Sequence, residues 1–316
     1  MSDERVRMGV FGVGSLGEHH ARIYSELAEA ELVGVYDANT ARAAQIAEKF
    51  HTRAFATPEE LAAAVTAASV VVPTDRHREV AGRLLEQGLH LLVEKPIAAT
   101  TREAEELAGL AEARGLILQV GHVERFNPVL SFLDAWPGRP RFIEAHRLAP
   151  YPAPRPGLPP RGTEVSVILD LMIHDLEVIL HLVRAKVKEI HAVGLPVLSP
   201  TEDICNVRLS FENGCVANVT ASRISPERMR KIRVFYDDAY VSLDYMNQTG
   251  EMHRRSGAGI ERVEVPIDKG EPLRSELRSF AECVARRDRP RVGGREGAQA
   301  LQLAVSITQR LREGPS

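Results

Sequence analysis

A glycine-rich turn near the N-terminus constrains the fold of this chain more than any other sequence feature. Residues Val6–Phe11 are short and apolar, as expected for a buried strand, and the turn Gly12–Gly17 (GVGSLG) follows directly. Helical character begins at Glu18 and continues to Leu27. A turn of the form G-x-G-x-x-G between a strand and a helix is typical of a dinucleotide-binding βαβ unit.

The three glycines of this turn have separate roles in such a unit. The first, Gly12, permits the tight turn, Gly14 lets the backbone approach a pyrophosphate, and Gly17 allows the helix to pack closely on the strand. The helix N-terminus offers N–H groups and a positive dipole end to an anion. A flavin, or a purely structural turn, is the alternative. The predicted dinucleotide contacts are Gly12, Gly14, Ser15, Leu16 and Gly17.

An acidic residue, Asp37, ends the second predicted strand, Leu32–Tyr36. A carboxylate there can accept hydrogen bonds from the adenosine ribose, and its charge would repel a 2′-phosphate, so NAD is the expected cofactor. Arg42 follows shortly afterwards. Because its guanidinium could meet a phosphate, NADP stays open as the alternative.

The first part of the chain alternates between strand and helix patterns. Further apolar strands are expected at Ser69–Val72, His90–Val93 and Leu116–Val120. Helices are expected at about 41–50, 59–65, 77–87 and 101–114. Such alternation is typical of a parallel sheet covered by helices on both faces, the α/β Rossmann architecture. We therefore assign residues 1–122 to a NAD-binding Rossmann domain.

The pattern changes after Gly121. Six prolines between residues 150 and 162 predict a long irregular loop, and a helix is expected from about Glu164 to Val183. Successive strand patterns without helices between them then predict an antiparallel sheet. They lie at about 189–198, 204–211, 215–223, 231–236, 240–245 and 262–267, and two helices follow near 272–287 and 295–312. Residues 123–316 are assigned to a second α/β domain, for substrate binding and oligomerisation.

Composition argues against several classes of function. The 316 residues carry 40 basic and 43 acidic side chains, a balance that does not suit a binder of nucleic acid or of a membrane surface. Three widely spaced cysteines form no Cys/His metal pattern and suggest reduced thiols. Neither a signal peptide nor a membrane span is recognisable, so we expect a cytoplasmic protein.

A candidate catalytic lysine, Lys95, follows the fourth predicted strand in the run Glu94-Lys95-Pro96. Ligands of such sheets bind at the carboxyl ends of the strands, so we expect Lys95 beside the nicotinamide. An amine in that position is a candidate proton acceptor. The alternative is a surface lysine in a loop.

A second candidate cluster is formed by Asp170 and His174, which are separated by three apolar residues. On a helix the i, i+4 spacing places both on one face. A carboxylate beside a histidine can fix its tautomer or raise its basicity. The alternatives are a satisfied buried pair or a surface pair. A zinc site lacks a third ligand at an informative spacing, so no metal is expected.

Five motifs run in order from residue 6 to about 178. They are Gly12-x-Gly14-x-x-Gly17, Pro73-Thr74-x-x-His77, Glu94-Lys95-Pro96, Gly121-His122 and Asp170-x-x-x-His174-Asp175. Together these motifs resemble the glucose–fructose oxidoreductase/inositol dehydrogenase (Gfo/Idh/MocA) family. The resemblance implies a Rossmann domain, an α/β domain with a large open antiparallel sheet, and oxidation of a sugar or cyclitol hydroxyl by a nicotinamide cofactor.

The same resemblance implies roles for individual residues. Lys95 would hold and deprotonate the reacting hydroxyl, while Asp170 and His174 would face the substrate. His174 would accept or relay the proton, and which of Lys95 and His174 is the base stays open. The implied cofactor contacts beyond the turn are Asp37, Arg42, Pro73, Thr74, His77, Glu94, Lys95 and Pro96.

Two segments are similar to a narrower branch of the family. Residues 121–128 (GHVERFNP) and 169–175 (LDLMIHD) resemble the branch that includes UDP-N-acetylglucosamine 3-dehydrogenases, which oxidise the sugar C3 hydroxyl to a ketone. A nucleotide-sugar diphosphate would need cations. The candidate cations are Arg147, Arg155, Arg161, Arg223, Arg228 and Lys231, and the predicted substrate contacts are His122, Arg125, Asn127, Arg161, Asp170 and His174.

Two other functions stay open from the sequence. One is a dehydrogenase of a free sugar, cyclitol or sugar acid, and the other is a non-catalytic dinucleotide-binding regulator or scaffold. The presence of Lys95, Asp170 and His174 together argues against the second, because a sensor needs only the cofactor site. One face of a large antiparallel sheet needs cover, so we expect a homo-oligomer, either dimer or tetramer.

Overall fold

The computed structural model describes residues 5–154, 160, 162–257 and 259–313. The chain divides into two units, Met1–Phe126 with Glu271–Leu301, and Asn127–Gly270 with Gln302–Ser316. The sequence pattern had assigned everything after residue 122 to the second domain. The segment Glu271–Leu301 instead belongs to the first unit, because Leu277 and Phe280 join the apolar core that contains Met8.

Six parallel strands form the sheet of the first unit. They are β1 Val6–Phe11, β2 Ala30–Tyr36, β3 Arg53–Ala54, β4 Ala67–Val70, β5 His90–Glu94 and β6 Leu118–Gly121. Their order is β3-β2-β1-β4-β5-β6. The helices between them are α1 Ser15–Glu26, α2 Thr40–Lys49, α3 Pro58–Ala64, α4 Thr74–Glu86 and α5 Thr101–Ala113. The predicted Rossmann architecture is confirmed.

Local sequence signals explain where three of these helices begin. The side chain of Asn39 accepts a hydrogen bond at the start of α2, Thr57 does so for α3, and Thr100 forms a capping box with Glu103 at α5. Two helices begin three residues earlier than predicted, α1 at Ser15 and α4 at Thr74. The two-residue edge strand β3 was not predicted, because it is too short to show a pattern.

The order of strands reverses between β1 and β4, because β2 and β3 lie on one side of this point and β5 and β6 lie on the other. Ligands of such sheets bind at the carboxyl ends of the strands near this point. The glycine turn follows β1, Pro73 and Thr74 follow β4, and Lys95 follows β5. The topology therefore places three of the predicted motifs at one edge of the sheet.

The second unit contains an eight-stranded sheet in the order β14-β13-β12-β11-β7-β10-β9-β8. Its strands are β7 Phe142–Leu148, β8 Val187–Leu195, β9 Ile204–Phe211, β10 Val216–Ser222, β11 Met229–Phe235, β12 Ala239–Asp244, β13 Thr249–Ser256 and β14 Gly259–Glu264. All pairs are antiparallel except β7 with β10. The predicted antiparallel sheet is confirmed, although β7 and β13 were not predicted.

Four further helices follow in chain order. They are α6 Pro128–Ala135, α7 Ile173–Val183, α8 Pro272–Arg286 and α9 Gly294–Glu313. The helix α7 packs on β7 and β10, strands that carry the buried side chains Ile143, Ala145 and Val219. The two closing helices confirm the sequence expectation. No helix in the described ranges is long and apolar enough to cross a membrane.

Two local features explain where helices begin in the second unit. Asn127 caps α6, and Pro128 occupies its first turn, where a missing N–H costs nothing. The helix expected from about Glu164 begins instead at Ile168. The N–H of Ile168 donates to the hydroxyl of Ser166 at 3.1 Å, so the side chain of Ser166 lies at the start of the helical turns.

Candidate active site

The glycine turn has little room for side chains at two of its glycines. Gly12 has a φ of +89°, and a Cβ there would lie 2.7 Å from the carbonyl oxygen of Val71. A Cβ on Gly17 would clash with the carbonyl oxygen of Gly12. At Gly14 no described atom lies within 4 Å of the Cβ position. Space is therefore open at the glycine where the backbone must approach a pyrophosphate.

The N-terminus of α1 fits an anion. Gly14 is its N-cap residue, and no side chain within the described part of the chain caps the helix. The first-turn N–H groups and the positive end of the dipole are then available to a phosphate. Ser15 is exposed and Leu16 half-buried beside them. These residues fit the pyrophosphate of a dinucleotide.

Asp37 lies at the carboxyl end of β2, where its carboxylate is fixed by two backbone donors. Oδ2 accepts a hydrogen bond from the N–H of Val13 at 2.7 Å, and Oδ1 accepts one from Asn39 at 2.8 Å. The side chain of Arg42 donates from Nε to the carbonyl oxygen of Val13 at 2.8 Å and also contacts Glu18. The carboxylate thus lies beside the glycine turn, where an adenosine ribose would need an acceptor.

Glu94 belongs to a buried polar network that the sequence analysis missed. Its Oε1 lies 3.1 Å from Nε2 of His20, whose Nδ1 lies 3.0 Å from the hydroxyl of Ser69. The phenol of Tyr24 reaches the same hydroxyl at 2.8 Å. These four residues, here named the Glu94 network, are all buried. A carboxylate held in this way has a fixed orientation.

The Glu94 network holds the backbone of the candidate catalytic lysine. Oε2 of Glu94 accepts a hydrogen bond from the N–H of Lys95 at 3.2 Å. Gly121 leaves room for the carboxylate, since a Cβ there would lie 2.8 Å from it. Lys95 itself is half-buried, and the peptide bond to Pro96 is cis. Buried side chains therefore support the backbone at Lys95.

His77 lies against backbone rather than in open space. Its Nδ1 lies 2.9 Å from the carbonyl oxygen of Pro96, and its Nε2 lies 2.9 Å from that of Val72. Burial lowers the pKa of His77, and the two carbonyl contacts oppose this in part. The ring of His77 thus connects the loop after Lys95 to the segment that carries Pro73 and Thr74. Pro73 is exposed and Thr74 is half-buried.

Three predicted substrate contacts are buried, each within the unit to which it belongs. In the first unit, His122 and Arg125 are buried, and burial, with the positive charges of Lys95 and Arg125, lowers the pKa of His122 to about 3. Its imidazole is therefore neutral near pH 7. In the second unit, Asn127 is also buried, and its Nδ2 donates to the carbonyl oxygen of Tyr245 at 3.2 Å.

In the second unit, Asp170 and His174 lie where a π-helical turn, Ile168–Met172, passes into α7. The N–H of Ile173 donates to the carbonyl oxygen of Ile168, an i to i−5 bond that widens the helix here. Such turns are rare and frequent at functional sites. Asp170 and His174 are both half-buried. Gly162 lies against the carboxylate, since a Cβ there would be 2.6 Å from Oδ2 of Asp170.

Two of the expected diphosphate cations are instead buried in ion pairs. The guanidinium of Arg147 donates to both carboxylate oxygens of Asp175, at 2.8 and 3.0 Å. Arg223 donates from Nε to Asp203 at 2.9 Å and contacts the carbonyl oxygens of Gly162, Val165 and Glu202. Both arginines are buried with their charges paired to carboxylates of this chain, and Arg223 also contacts the loop that precedes the π-helical turn.

The other expected cations differ in exposure. Arg228 is exposed, and Lys231 is half-buried with its Nζ 3.8 Å from Asp244. The predicted contact Arg161, like Arg155, lies outside the described residues. Among the residues that the structure does describe, no three His, Cys, Asp or Glu side chains are grouped so as to hold a metal ion.

One sequence signal pointed to the Glu94 network. Gly17, His20, Ala21 and Tyr24 follow the helical spacing of the buried face of α1, so a histidine at this position had to be buried with a polar partner. The partner Ser69 carried no signal of its own. Its role depends on the pairing of β1 with β4, which the sequence alone does not specify.

Comparison with known proteins agrees with this arrangement. The Gfo/Idh/MocA oxidoreductase family, NAD-binding Rossmann fold, matches residues 6–122, and the GFO/IDH/MocA C-terminal domain matches residues 136–242. The UDP-N-acetylglucosamine 3-dehydrogenase of Acidithiobacillus ferrooxidans is 38% identical over 96% of this chain and 97% of its own length. The scyllo-inositol 2-dehydrogenase (NAD(+)) of Bacillus subtilis is 24% identical over 99% of this chain and 96% of its own.

Two solved structures that are similar to this chain are also those of dehydrogenases. A structure of UDP-N-acetylglucosamine 3-dehydrogenase from Acidithiobacillus ferrooxidans has a TM-score of 0.92 at 36% identity, covering 98% of this chain and 99% of that one. Levoglucosan dehydrogenase, solved with NADH and levoglucosan, has a TM-score of 0.88 at 17% identity, over 98% of each chain, and shares the fold. The chain therefore belongs to the Gfo/Idh/MocA oxidoreductase family and is a nicotinamide-dependent dehydrogenase, with an NAD-binding Rossmann domain, that acts on CH–OH groups.

Proposed function

We propose that this chain oxidises the C3 hydroxyl of a UDP-N-acetylhexosamine, with UDP-N-acetylglucosamine as the first candidate, and that NAD is the acceptor. The observation that carries the proposal is the 38% identity, over nearly the whole of both chains, to a UDP-N-acetylglucosamine 3-dehydrogenase. The inositol dehydrogenase at 24% identity is more distant, so a cyclitol is the weaker candidate substrate.

The first unit is proposed to supply Lys95 as the group that holds the reacting hydroxyl. When bound, the nicotinamide accepts a hydride from the carbon, and the hydroxyl proton must pass to a base. The amine of Lys95 follows β5 and has its backbone fixed by Glu94, which favours a single approach to the hydroxyl. The proton that Lys95 accepts leaves its amine positively charged, and this charge favours the developing alkoxide.

The second unit is proposed to supply Asp170 and His174. An imidazole whose tautomer is controlled by a nearby carboxylate can relay a proton. Gly162 and the buried ion pair of Arg223 support the loop in contact with the π-helical turn. We propose that His174 accepts or relays a proton during the reaction. The pH profiles of turnover in Lys95 and His174 variants show which of the two residues is the base.

The diphosphate is proposed to contact cations that are not held in buried ion pairs. Arg228 is exposed, Lys231 is partly exposed, and Arg161 was singled out in the sequence. Replacing one of these cations with a neutral residue would remove its contact with the diphosphate. Each such variant is expected to raise KM for the nucleotide sugar while leaving NAD affinity unchanged.

We also propose a cytoplasmic homo-oligomer that uses the outer face of the second unit's sheet. A row of rings crosses four strands there, with centroid spacings between 4.7 and 5.5 Å. The row consists of Phe142, Phe235, Tyr240 and His253. An aromatic row on a sheet face is suited to association. Light scattering of the purified protein tests this expectation.

The experiment that tests the proposed function uses NAD and a panel of substrates. Reduced-nicotinamide absorbance is expected with UDP-N-acetylglucosamine and not with free N-acetylglucosamine or inositol. In Lys95→Ala this absorbance should be abolished while NAD affinity stays within a few-fold, and Lys188→Ala, an exposed lysine, is the matched control. Normal turnover of Lys95→Ala would reject the site. Tight NAD binding without turnover of any substrate would favour a sensor.

A further inference from the structure

We propose that Glu18 is a specificity-determining residue that reserves the ribose end of the cofactor site for NAD. It does so by holding Arg42, whose guanidinium would otherwise be available to the 2′-phosphate of NADP. The inference depends on the dinucleotide-binding domain alone. It is independent of the sugar substrate proposed above, and failure of one does not imply failure of the other.

Glu18 lies in the first turn of α1 and receives two cations from α2. Its Oε1 accepts a hydrogen bond from Nζ of Lys49 at 2.7 Å, and its Oε2 accepts one from the guanidinium of Arg42. Both oxygens are therefore engaged. The three residues Glu18, Arg42 and Lys49 are here named the Glu18 clamp.

Each of the three guanidinium nitrogens of Arg42 has an acceptor. Nε donates to the carbonyl oxygen of Val13 at 2.8 Å, and one terminal nitrogen donates to Oε1 of Gln45 at 2.7 Å. The other terminal nitrogen donates to Glu18. A planar guanidinium held in three directions cannot turn toward a new anion without giving up a contact.

The position of Arg42 matters because it shares a neighbour with the ribose-binding carboxylate. The N–H of Val13 donates to Asp37, and the carbonyl oxygen of the same residue accepts from Arg42. Asp37 is thus adjacent to an arginine of the kind that accommodates a 2′-phosphate in NADP-binding proteins. The chain therefore carries Asp37, which suits NAD, and Arg42, which suits NADP. Glu18 determines which of the two cofactors is favoured.

Charge counting supports this assignment. Asp37 and Glu18 contribute two negative charges, and Arg42 and Lys49 contribute two positive ones, so the group is neutral. Hydrogen bonds from Lys49 and Arg42 lower the pKa of Glu18 to about 2, so it is ionised throughout the neutral range. A 2′-phosphate would bring further negative charge to a group with no excess cation. Neutralising Glu18 leaves an excess of one positive charge beside it.

The test is the affinity of the purified protein for NADP⁺ and NAD⁺, measured by titration calorimetry in low salt. Glu18→Gln should bind NADP⁺ at least about tenfold more tightly than the natural chain, a change of about 1.4 kcal/mol, with NAD⁺ affinity within about threefold. Glu18→Ala serves as a second variant. Glu48→Gln removes the same charge from an exposed position on α2 and should change neither affinity.

Arg42→Ala completes the double-mutant cycle. It should change NADP⁺ affinity little in the natural chain, because the clamp already withholds the guanidinium, and it should cancel the gain when combined with Glu18→Gln. The proposal is overturned if Glu18→Gln and Glu18→Ala leave NADP⁺ affinity equal to that of Glu48→Gln. It is equally overturned if the double variant keeps the gain, or if Arg42→Ala alone weakens NADP⁺ binding tenfold.

Discussion

Nε2 of His20 lies 3.1 Å from Oε1 of Glu94, and both side chains are buried beneath the loop that carries Lys95. The other carboxylate oxygen of Glu94 accepts from the N–H of Lys95. The histidine of α1 is therefore connected to the candidate catalytic lysine through one carboxylate. We therefore expect His20 to act as a positioning residue for Lys95.

Replacing His20 should lower both stability and turnover. His20→Ala leaves buried polar atoms of Glu94 and Ser69 without their contact, which is expected to cost about 1–3 kcal/mol of unfolding free energy. We expect kcat to fall about tenfold, equal to about 1.4 kcal/mol in the barrier, with NAD affinity nearly unchanged. Urea unfolding and steady-state kinetics check both effects.

Two variants separate positioning from general damage. His19→Ala changes an exposed histidine on the same helix and should have no effect on either quantity. His20→Gln retains a donor for Glu94 and should recover most of kcat. If His20→Ala lost stability while kcat stayed normal, His20 would have only a structural role.

Gly162 is expected to be required for the position of Asp170. Its φ is +82°, and a Cβ there would lie 2.6 Å from the Asp170 carboxylate. Gly214 has a similar φ of +84° with no described atom within 4 Å of its Cβ position. Both alanine variants should lose about 1 kcal/mol of stability from backbone strain, whereas only Gly162→Ala should lose turnover, by about tenfold. Equal kcat in the two variants would argue against a functional Asp170.

The chain order of the elements was largely readable from the sequence. Apolar runs such as Val6–Phe11 and the alternation of β and α patterns predicted the first sheet, because buried parallel strands have to be apolar throughout. The strand β7 was missed because its inward-facing Arg147 hides the alternation. Burial of that arginine depends on Asp175, a residue distant in sequence, and no local pattern reports such a pair.

Gly14 and Gly17 should respond differently to substitution. Gly14→Ala has space for its Cβ, so the fold should persist while NAD affinity falls by about tenfold or more, because the side chain stands where the backbone must approach the pyrophosphate. Gly17→Ala would press on the carbonyl oxygen of Gly12 and should lose stability as well. Calorimetry with NAD and thermal unfolding distinguish the two. Undiminished NAD affinity of Gly14→Ala would remove the turn from the cofactor site.

Acid sensitivity should depend in part on His122. Burial, together with the charges of Lys95 and Arg125, lowers the pKa of His122 to about 3, against about 6.5 in an unfolded chain. Between these values the unfolded chain binds a proton that the folded chain does not, so stability falls as pH falls. From pH 7 to pH 5 this contributes a loss of about 2 kcal/mol.

The corresponding measurement is the unfolding free energy at pH 7 and at pH 5. His122→Gln should show a loss smaller than that of the natural chain by about 2 kcal/mol. His191→Gln, at an exposed position on β8, should behave as the natural chain does. An equal loss in all three proteins would mean that His122 takes up a proton in the folded state.

The candidate site was predictable in its motifs and less so in its supports. Lys95, Asp170 and His174 could be proposed as candidates because each has a chemistry-bearing side chain at an interpretable place along the chain. The supporting residues His20, Ser69 and Asp203 act through contacts that only the tertiary structure creates. The arginines show the same limit, since a sequence does not distinguish a cation for a ligand from one that pairs with a buried carboxylate.

Transfer of the C3 hydrogen to the cofactor is the decisive measurement for the proposed reaction. UDP-N-acetylglucosamine deuterated at C3 is incubated with the protein and NAD, and the reduced cofactor is examined by mass spectrometry. We expect reduced nicotinamide that carries deuterium, formed more slowly than from unlabelled substrate, and none from Lys95→Ala. Reduced cofactor without deuterium, or no reduced cofactor at all, would contradict oxidation at C3.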